Sequence, residues 1–153
     1  MEMTRKERAI DHFLAGANCA QAVVLAFADL MGLDEQTALR LSAPFGGGLG
    51  RQREVCGAVS GMCMVAGMLY GYDDLSDSAA KAAHYRLVQE LCGQFRAKHG
   101  SIVCRELLGA KKASTDPTPA PRTEEYYRTR PCAVQVGDAA EIMEAYILAH
   151  PGA

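Results

Sequence analysis

Apolar residues recur at the spacing of amphipathic helices along almost the whole chain. No segment shows the strict alternation of apolar and polar residues that is typical of a half-buried strand. The pattern therefore predicts an all-α fold. With 153 residues, 49% of them hydrophobic, the chain is long enough to bury a core of its own. We expect one helical domain, 1–153, built as a compact multi-helix bundle.

Glycines, prolines and N-capping residues mark where the predicted helices begin and end. Together with their caps, the expected helices cover residues 4–14, 18–32, 34–42, 54–70, 76–99, 101–109 and 131–148. The helix at about 54–70 is apolar on nearly every face and rich in small residues, which predicts a central helix with close neighbours. Residues 111–121 contain Pro117, Pro119 and Pro121, so we expect a flexible proline-rich loop there.

The N-terminus is charged and has no apolar run after it, so no signal peptide is predicted. The most apolar window, 58–69, is too short to cross a bilayer, and no direct membrane insertion is expected. A formal net charge of -2 gives no broad attraction to nucleic acid. We expect a cytoplasmic protein. The frequent methionines and the small apolar central helix also suggest a homodimer.

Six cysteines stand out in a chain of this size. In a reducing compartment they indicate metal or redox chemistry more than structural disulfides. Four occupy the first turn of a predicted helix, where free N–H groups and the helix dipole stabilise a thiolate. These four are Cys19, Cys56, Cys104 and Cys132. Cys63 and Cys92 lie in mid-helix, and we expect them to be packing residues.

Two motifs carry the first two of these cysteines. They are Asn18-Cys19-Ala20-Gln21-Ala22-Val23 and Cys56-Gly57-Ala58-Val59-Ser60-Gly61. With Cys104 and Cys132 following in order, the chain resembles the C_GCAxxG_C_C family of "putative redox-active proteins" over nearly its whole length. The resemblance implies that Cys19, Cys56, Cys104 and Cys132 are the family's four cysteines and form a redox-active centre.

Several chemistries of this centre remain open. Four thiolates are the right complement for a [2Fe–2S] or [4Fe–4S] cluster that transfers electrons, or for another metal. Zinc is less expected, because the paired Cys-x-x-Cys of many zinc sites is missing. The first alternative is a metal-free dithiol/disulfide redox protein acting on an unidentified redox partner. The second is a helical structural or interaction protein whose cysteines only pack.

The segment before Cys56 supplies further candidates. Residues 44–50 contain four glycines, which predicts an irregular, tight turn close to the sulfur centre. Arg51, Arg53 and Gly57 flank Cys56 and are candidate cofactor-binding residues. The two arginines either hold the Cys56 thiolate or an anionic ligand, or they are solvated. Residues 122–128 are expected to be a solvated, mixed-charge stretch, from which a tyrosine either packs or covers the sulfur centre.

Overall fold

The computed structural model describes residues 2–151. Eight α-helices lie in this range: α1 (Arg5–Leu14), α2 (Cys19–Met31), α3 (Glu35–Ser42), α4 (Gly57–Tyr70), α5 (Ser78–His99), α6 (Cys104–Leu108), α7 (Glu124–Thr129) and α8 (Cys132–Ala149). Short 3₁₀ turns at Ala43–Phe45 and Ala110–Lys112 and a helical turn at Gly46–Leu49 connect them. The described residues contain no β-strand. The all-α prediction is confirmed.

Local capping chemistry sets most helix ends. The side chains of Asn18, Asp34 and Asp77 each accept a hydrogen bond from the backbone N–H three residues further on. Gly32 and Gly100 end α2 and α5 in the left-handed conformation, which glycine adopts without a steric penalty. The ends at residues 18, 32 and 34 coincide with bounds of the predicted helices, and those at 77 and 100 lie within one residue of them.

Helix α4 lies in the middle of the bundle and packs against α2, α5 and α8. Its approach to α2 is close at Gly61, where a Cβ would lie 2.8 Å from the backbone oxygen of Ala20 and 3.1 Å from the Cβ of Val23. The prediction of a central apolar helix is thereby confirmed. No helix within residues 2–151 combines the length and apolar character that a bilayer span requires.

Two predicted helix starts are wrong. Helix α4 begins at Gly57 rather than near residue 54, and α6 begins at Cys104, with Val103 rather than Ser101 as its N-cap. In both cases the preceding backbone is extended, because Val55 and Val103 form an isolated antiparallel bridge. This contact joins segments that are far apart in sequence, so helical periodicity could not reveal it.

Residues 122–128, expected to be a solvated stretch, are exposed at Thr123, Glu124, Glu125 and Arg128, but they contain a helix that was not predicted. Most of this segment forms α7, and the Thr123 side chain accepts a hydrogen bond from the backbone N–H of Tyr126 at its start. Tyr126 and Tyr127 are only half-exposed and pack against the core. The mixed charge of the segment concealed a helix with one apolar, aromatic side.

The close contact at Gly61 gives a direct test of the packing. Gly61→Ala should lower the free energy of unfolding by about 1–3 kcal/mol, because the new methyl group meets the α2 backbone. Gly67→Ala is the matched control in the same helix, since no atom lies within 4 Å of a Cβ there. It should raise stability by about 0.5–1 kcal/mol. Urea unfolding followed by circular dichroism measures both, and equal effects would contradict the packing described.

Candidate functional site

A cavity of about 400 Å³ lies where four helices begin. Cys19, Cys104 and Cys132 are the first residues of α2, α6 and α8, and Cys56 is the N-cap of α4. All four cysteines line the cavity. The structure therefore brings together the four cysteines that the sequence singled out, although Cys56 precedes its helix instead of lying in the first turn.

Close backbone packing places Cys19 beside the start of α4. A Cβ at Gly57 would lie 3.1 Å from the Cβ of Cys19 and 2.9 Å from the backbone oxygen of Phe45. Only a residue without a side chain fits at this position. Gly57 also lines the cavity, and its role in the structure is to let the Cys19 backbone approach Cys56.

The antiparallel contact before α4 and α6 holds the other two cysteines. The backbone N–H of Cys56 donates to the carbonyl of Ile102 at 2.7 Å, and that of Cys104 donates to the carbonyl of Glu54 at 2.6 Å. Cys56 and Cys104 are thus fixed next to each other by main-chain hydrogen bonds. Their placement does not depend on the rotamer of any long side chain.

The predicted glycine turn is wound with left-handed geometry. Gly47, Gly48, Leu49, Gly50 and Arg51 have φ between 61° and 69°. Left-handed backbone costs a residue with a side chain about 1–2 kcal/mol, so a run of this kind is unusual. A Cβ at Gly48 would lie 2.8 Å from the Cβ of Cys104. The turn therefore packs directly on the sulfur site.

Arg51 and Arg53, which leave this turn, both line the cavity. The Arg53 Nη1 lies 3.8 Å from the Sγ of Cys104, and its Nε donates to the carbonyl of Ser114 at 2.9 Å. Arg51 donates to the carbonyls of Asp116 and Thr118. These bonds tie the proline-rich segment to the cavity, so the segment predicted as a flexible loop is anchored at several points and forms part of the wall.

Two further arginines and a tyrosine also line the cavity, and neither arginine was predicted as a site residue. Arg122 lies 4.3 Å from the ring centroid of Phe13, and Arg130 lies 4.8 Å from that of Tyr126. Arg122, Tyr126 and Arg130 all line the cavity. Arg130 lies two residues before Cys132, whereas Arg122 lies ten residues before it and had no sequence signal of its own. That Tyr126 reaches the sulfur site agrees with one of the two roles expected for a tyrosine of this segment.

The thiols of Cys19 and Cys132 are neighbours in the cavity, and each shifts the pKa of the other. The neighbouring Cys19 thiol lowers the pKa of Cys132 to about 7, against burial, with help from the charges of Arg130 and Arg122 and from Tyr126. The Cys132 sulfur and burial raise the pKa of Cys19 well above its usual value. The pair therefore holds one proton near neutral pH, and the arginines favour the thiolate at Cys132.

The expectation that all four cysteines are stabilised as thiolates is wrong for the other members of the site. Burial raises the pKa of Cys56 to about 12, although the amides of Val59 and Ala58 oppose it. Burial also raises the pKa of Cys104, more than the neighbouring Arg53 lowers it. Removal from water disfavours the charged sulfur more strongly than a helix start favours it.

Cys63 and Cys92 do not line the cavity. Both side chains are half-buried and pack against the core, as expected from the sequence. Their thiols are also neighbours between α4 and α5, and the Cys63 thiol lowers the pKa of Cys92 to about 7, with help from Arg96. No spacing rule links two residues in the middle of different helices, so this pairing was not predicted.

The cysteines that line the cavity can be compared with the ligands that a metal centre requires. Within residues 2–151, no group of three or more His, Cys, Asp or Glu side chains is arranged to hold a metal ion. A polynuclear cluster occupies more space between its ligands than a single ion does. Four cysteines line this one cavity, and four is the number of thiolates that an iron–sulfur cluster takes.

Comparison with known proteins gives one match. The family model described as "Putative redox-active protein (C_GCAxxG_C_C)" matches residues 17–146. No curated protein and no solved structure matches the chain. The matched range contains all four cavity cysteines as well as the second cysteine pair.

The electrostatics of the two thiol pairs predict an order of alkylation. At pH 7, iodoacetamide should modify Cys132 and Cys92 before the other cysteines, because only these two have a lowered pKa. Below pH 7 the rate at Cys132 should fall about tenfold per pH unit, since the thiolate is the reactive form. Arg130→Gln should raise the midpoint by about one pH unit, because it removes a positive charge beside the sulfur.

Peptide mass spectrometry after timed quenching resolves the individual sites. Arg40→Gln, which removes an exposed arginine from α3, is the matched control and should leave the midpoint unchanged. Modification of Cys56 at the same rate as Cys132 at pH 7 would show that the electrostatic account is wrong.

Proposed function

Since the chain belongs to the C_GCAxxG_C_C family, whose description is one of redox activity, we propose that it is a thiol–disulfide redox protein. Cys19 and Cys132 form its exchanging pair. The single observation that carries the proposal is that Cys19 and Cys132, the first residues of α2 and α8, line one cavity together with Arg122 and Arg130. In this setting the pKa of Cys132 is lowered and that of Cys19 is raised, which favours a thiolate at one sulfur and a thiol at the other.

Exchange requires this asymmetry. A thiolate must attack the disulfide of a partner, and a second thiol must then resolve the mixed disulfide. Cys132 has the lowered pKa and the arginine neighbours that suit the attacking sulfur. Cys19 has the raised pKa, so it keeps its proton until the mixed disulfide has formed, and it lines the same cavity as the sulfur that it has to attack.

A cluster-binding protein is the second candidate, and the observation that favours it is that all four cysteines line one cavity. Cys19, Cys56, Cys104 and Cys132 would hold an iron–sulfur cluster, and the surrounding arginines would balance its negative charge. Such a cluster supplies one-electron transfer when bound. In both cases the redox partner remains unidentified, and the homodimer stays a prediction.

Cys56→Ser separates the two candidates. The dithiol proposal does not use Cys56 in the exchange, so this variant should still lose two thiols per chain on oxidation. Cys132→Ser should lose none at the cavity. Protein purified without oxygen should be colourless and free of stoichiometric iron. Thiol titration before and after oxidation, with the absorption spectrum and iron content, measures all of this. Cys63→Ser in each background removes the second pair from the count.

Two outcomes would overturn the proposal. A brown wild-type protein with stoichiometric iron, whose colour is lost in Cys56→Ser, would establish the cluster instead. A colourless protein whose thiol count is unchanged by oxidation would leave a structural or interaction role for these cysteines.

A further inference from the structure

The side chains that line the cavity carry more positive charge than nearby carboxylates neutralise. Arg51, Arg53, Arg122 and Arg130 line it, and none of the lining residues that the structure describes is Asp or Glu. None of these arginines forms an ion pair with a carboxylate of residues 2–151. Four arginine side chains thus line one small space beside the sulfurs.

Their protein contacts orient these side chains without cancelling their charge. Arg51 and Arg53 donate to backbone carbonyls of the proline-rich segment, 111–121. Arg122 donates to the carbonyls of Phe13 and Ala17. A carbonyl is a dipole and leaves the full positive charge in place. Asp116 approaches Arg51, but the atom that accepts the hydrogen bond is its backbone oxygen, not its carboxylate.

Arg53 is the most constrained of the four. It is only 4% exposed, and its Nη2 has no hydrogen-bond partner in the part of the chain that the structure describes. A buried guanidinium without a counter-ion costs several kcal/mol unless something negative compensates it. Repulsion among the arginines also favours a bound negative group. Burial and then the charges of Arg53 and Arg130 lower the pKa of Arg51.

We propose that the cavity selects a small disulfide that carries carboxylate groups, which the four arginines hold beside Cys19 and Cys132. This inference rests on the proposed thiol–disulfide function and names its substrate class. Guanidinium groups bind carboxylates through paired hydrogen bonds, which a neutral or cationic disulfide cannot accept. The volume of about 400 Å³ suits a small molecule rather than a protein loop.

The reaction balances as two successive exchanges. The Cys132 thiolate attacks one sulfur of the bound disulfide, a mixed disulfide forms, and the first half leaves as a thiolate. Cys19 then gives its proton to the thiolate of the first half and attacks the Cys132 sulfur, which releases the second half as a thiolate. The protein pair is oxidised by two electrons to the Cys19–Cys132 disulfide, and the small disulfide is reduced to one thiol and one thiolate.

Three probes of similar size and different charge test this selection. They are dithiodiglycolate, which is anionic, bis(2-hydroxyethyl) disulfide, which is neutral, and cystamine, which is cationic. The rate of oxidation of the Cys19–Cys132 pair is measured for each and divided by the rate of the same probe with the chain unfolded in urea. This division removes the intrinsic reactivity of each probe. Cys63→Ser, which keeps the cavity intact, is the background for all measurements.

The anionic probe should react about tenfold or more faster than the cationic one at low ionic strength, because its charge is attracted into the cavity. The preference should shrink several-fold in about 1 M salt, where the Debye length is about 3 Å. Arg130→Gln should lower the anionic-to-neutral ratio about threefold, because it removes one of four attracting charges. Arg40→Gln is the control and should leave the ratio unchanged. Any general effect of Arg130 on thiol reactivity cancels in the ratio.

Two results would overturn the inference and can be told apart. Oxidation by all three probes with a normalised ratio near one, or a ratio that Arg130→Gln does not change, would remove the anionic selectivity and leave the dithiol function standing. Failure of every probe to oxidise Cys19 and Cys132 would overturn the dithiol function and this inference with it.

Discussion

The close approach of α4 to its neighbours is the constraint on which the rest of the site depends. At Gly57 and Gly61 the surface of α4 has no side chain, and the backbone and small side chains of α2 occupy that space. Backbone atoms cannot move aside as a flexible side chain can, so this packing allows little variation. It fixes where α2 begins relative to α4, and therefore where Cys19 lies relative to Cys56.

The chemistry of the site follows from a contest between burial and charge. Burial alone raises the pKa of a thiol, and it dominates at Cys56 and Cys104. At Cys132 the neighbouring Cys19 thiol and two nearby arginines outweigh it. The same arginines make the cavity electropositive. One set of charges therefore explains both the activated sulfur and the preference proposed for an anionic substrate.

The sequence predicted those parts of the fold that local interactions determine. Helix ends marked by Asn18, Asp77 and Gly100 follow from short-range capping, and the position of Cys19 at the start of α2 follows from the Asn18 cap. The left-handed winding of the glycine turn and the bridge between Val55 and Val103 depend on contacts across the bundle. Periodicity carries no information about such contacts, and the starts of α4 and α6 were misplaced for that reason.

The candidate site was predictable to a similar extent. Position in the chain identified its four cysteines, and Arg51 and Arg53 were expected beside them. Which sulfur is a thiolate could not be predicted, because it depends on Arg122 and Arg130, which reach the cavity only after α7 has formed. The pairing of Cys63 with Cys92 likewise requires the packing of α4 on α5.

Disulfide mapping of the oxidised protein tests most directly whether Cys19 and Cys132 form the redox pair. Cleavage after Lys and Arg leaves Cys19 in peptide 9–40, Cys104 in 99–105 and, because Pro131 protects the bond after Arg130, Cys132 in 129–153. Cys56 falls in a fourth peptide, 54–81. Mild oxidation without metal should yield 9–40 joined to 129–153 as the first product at the cavity. A first product that instead joins 54–81 to 99–105 would show that Cys19 and Cys132 are not the redox pair.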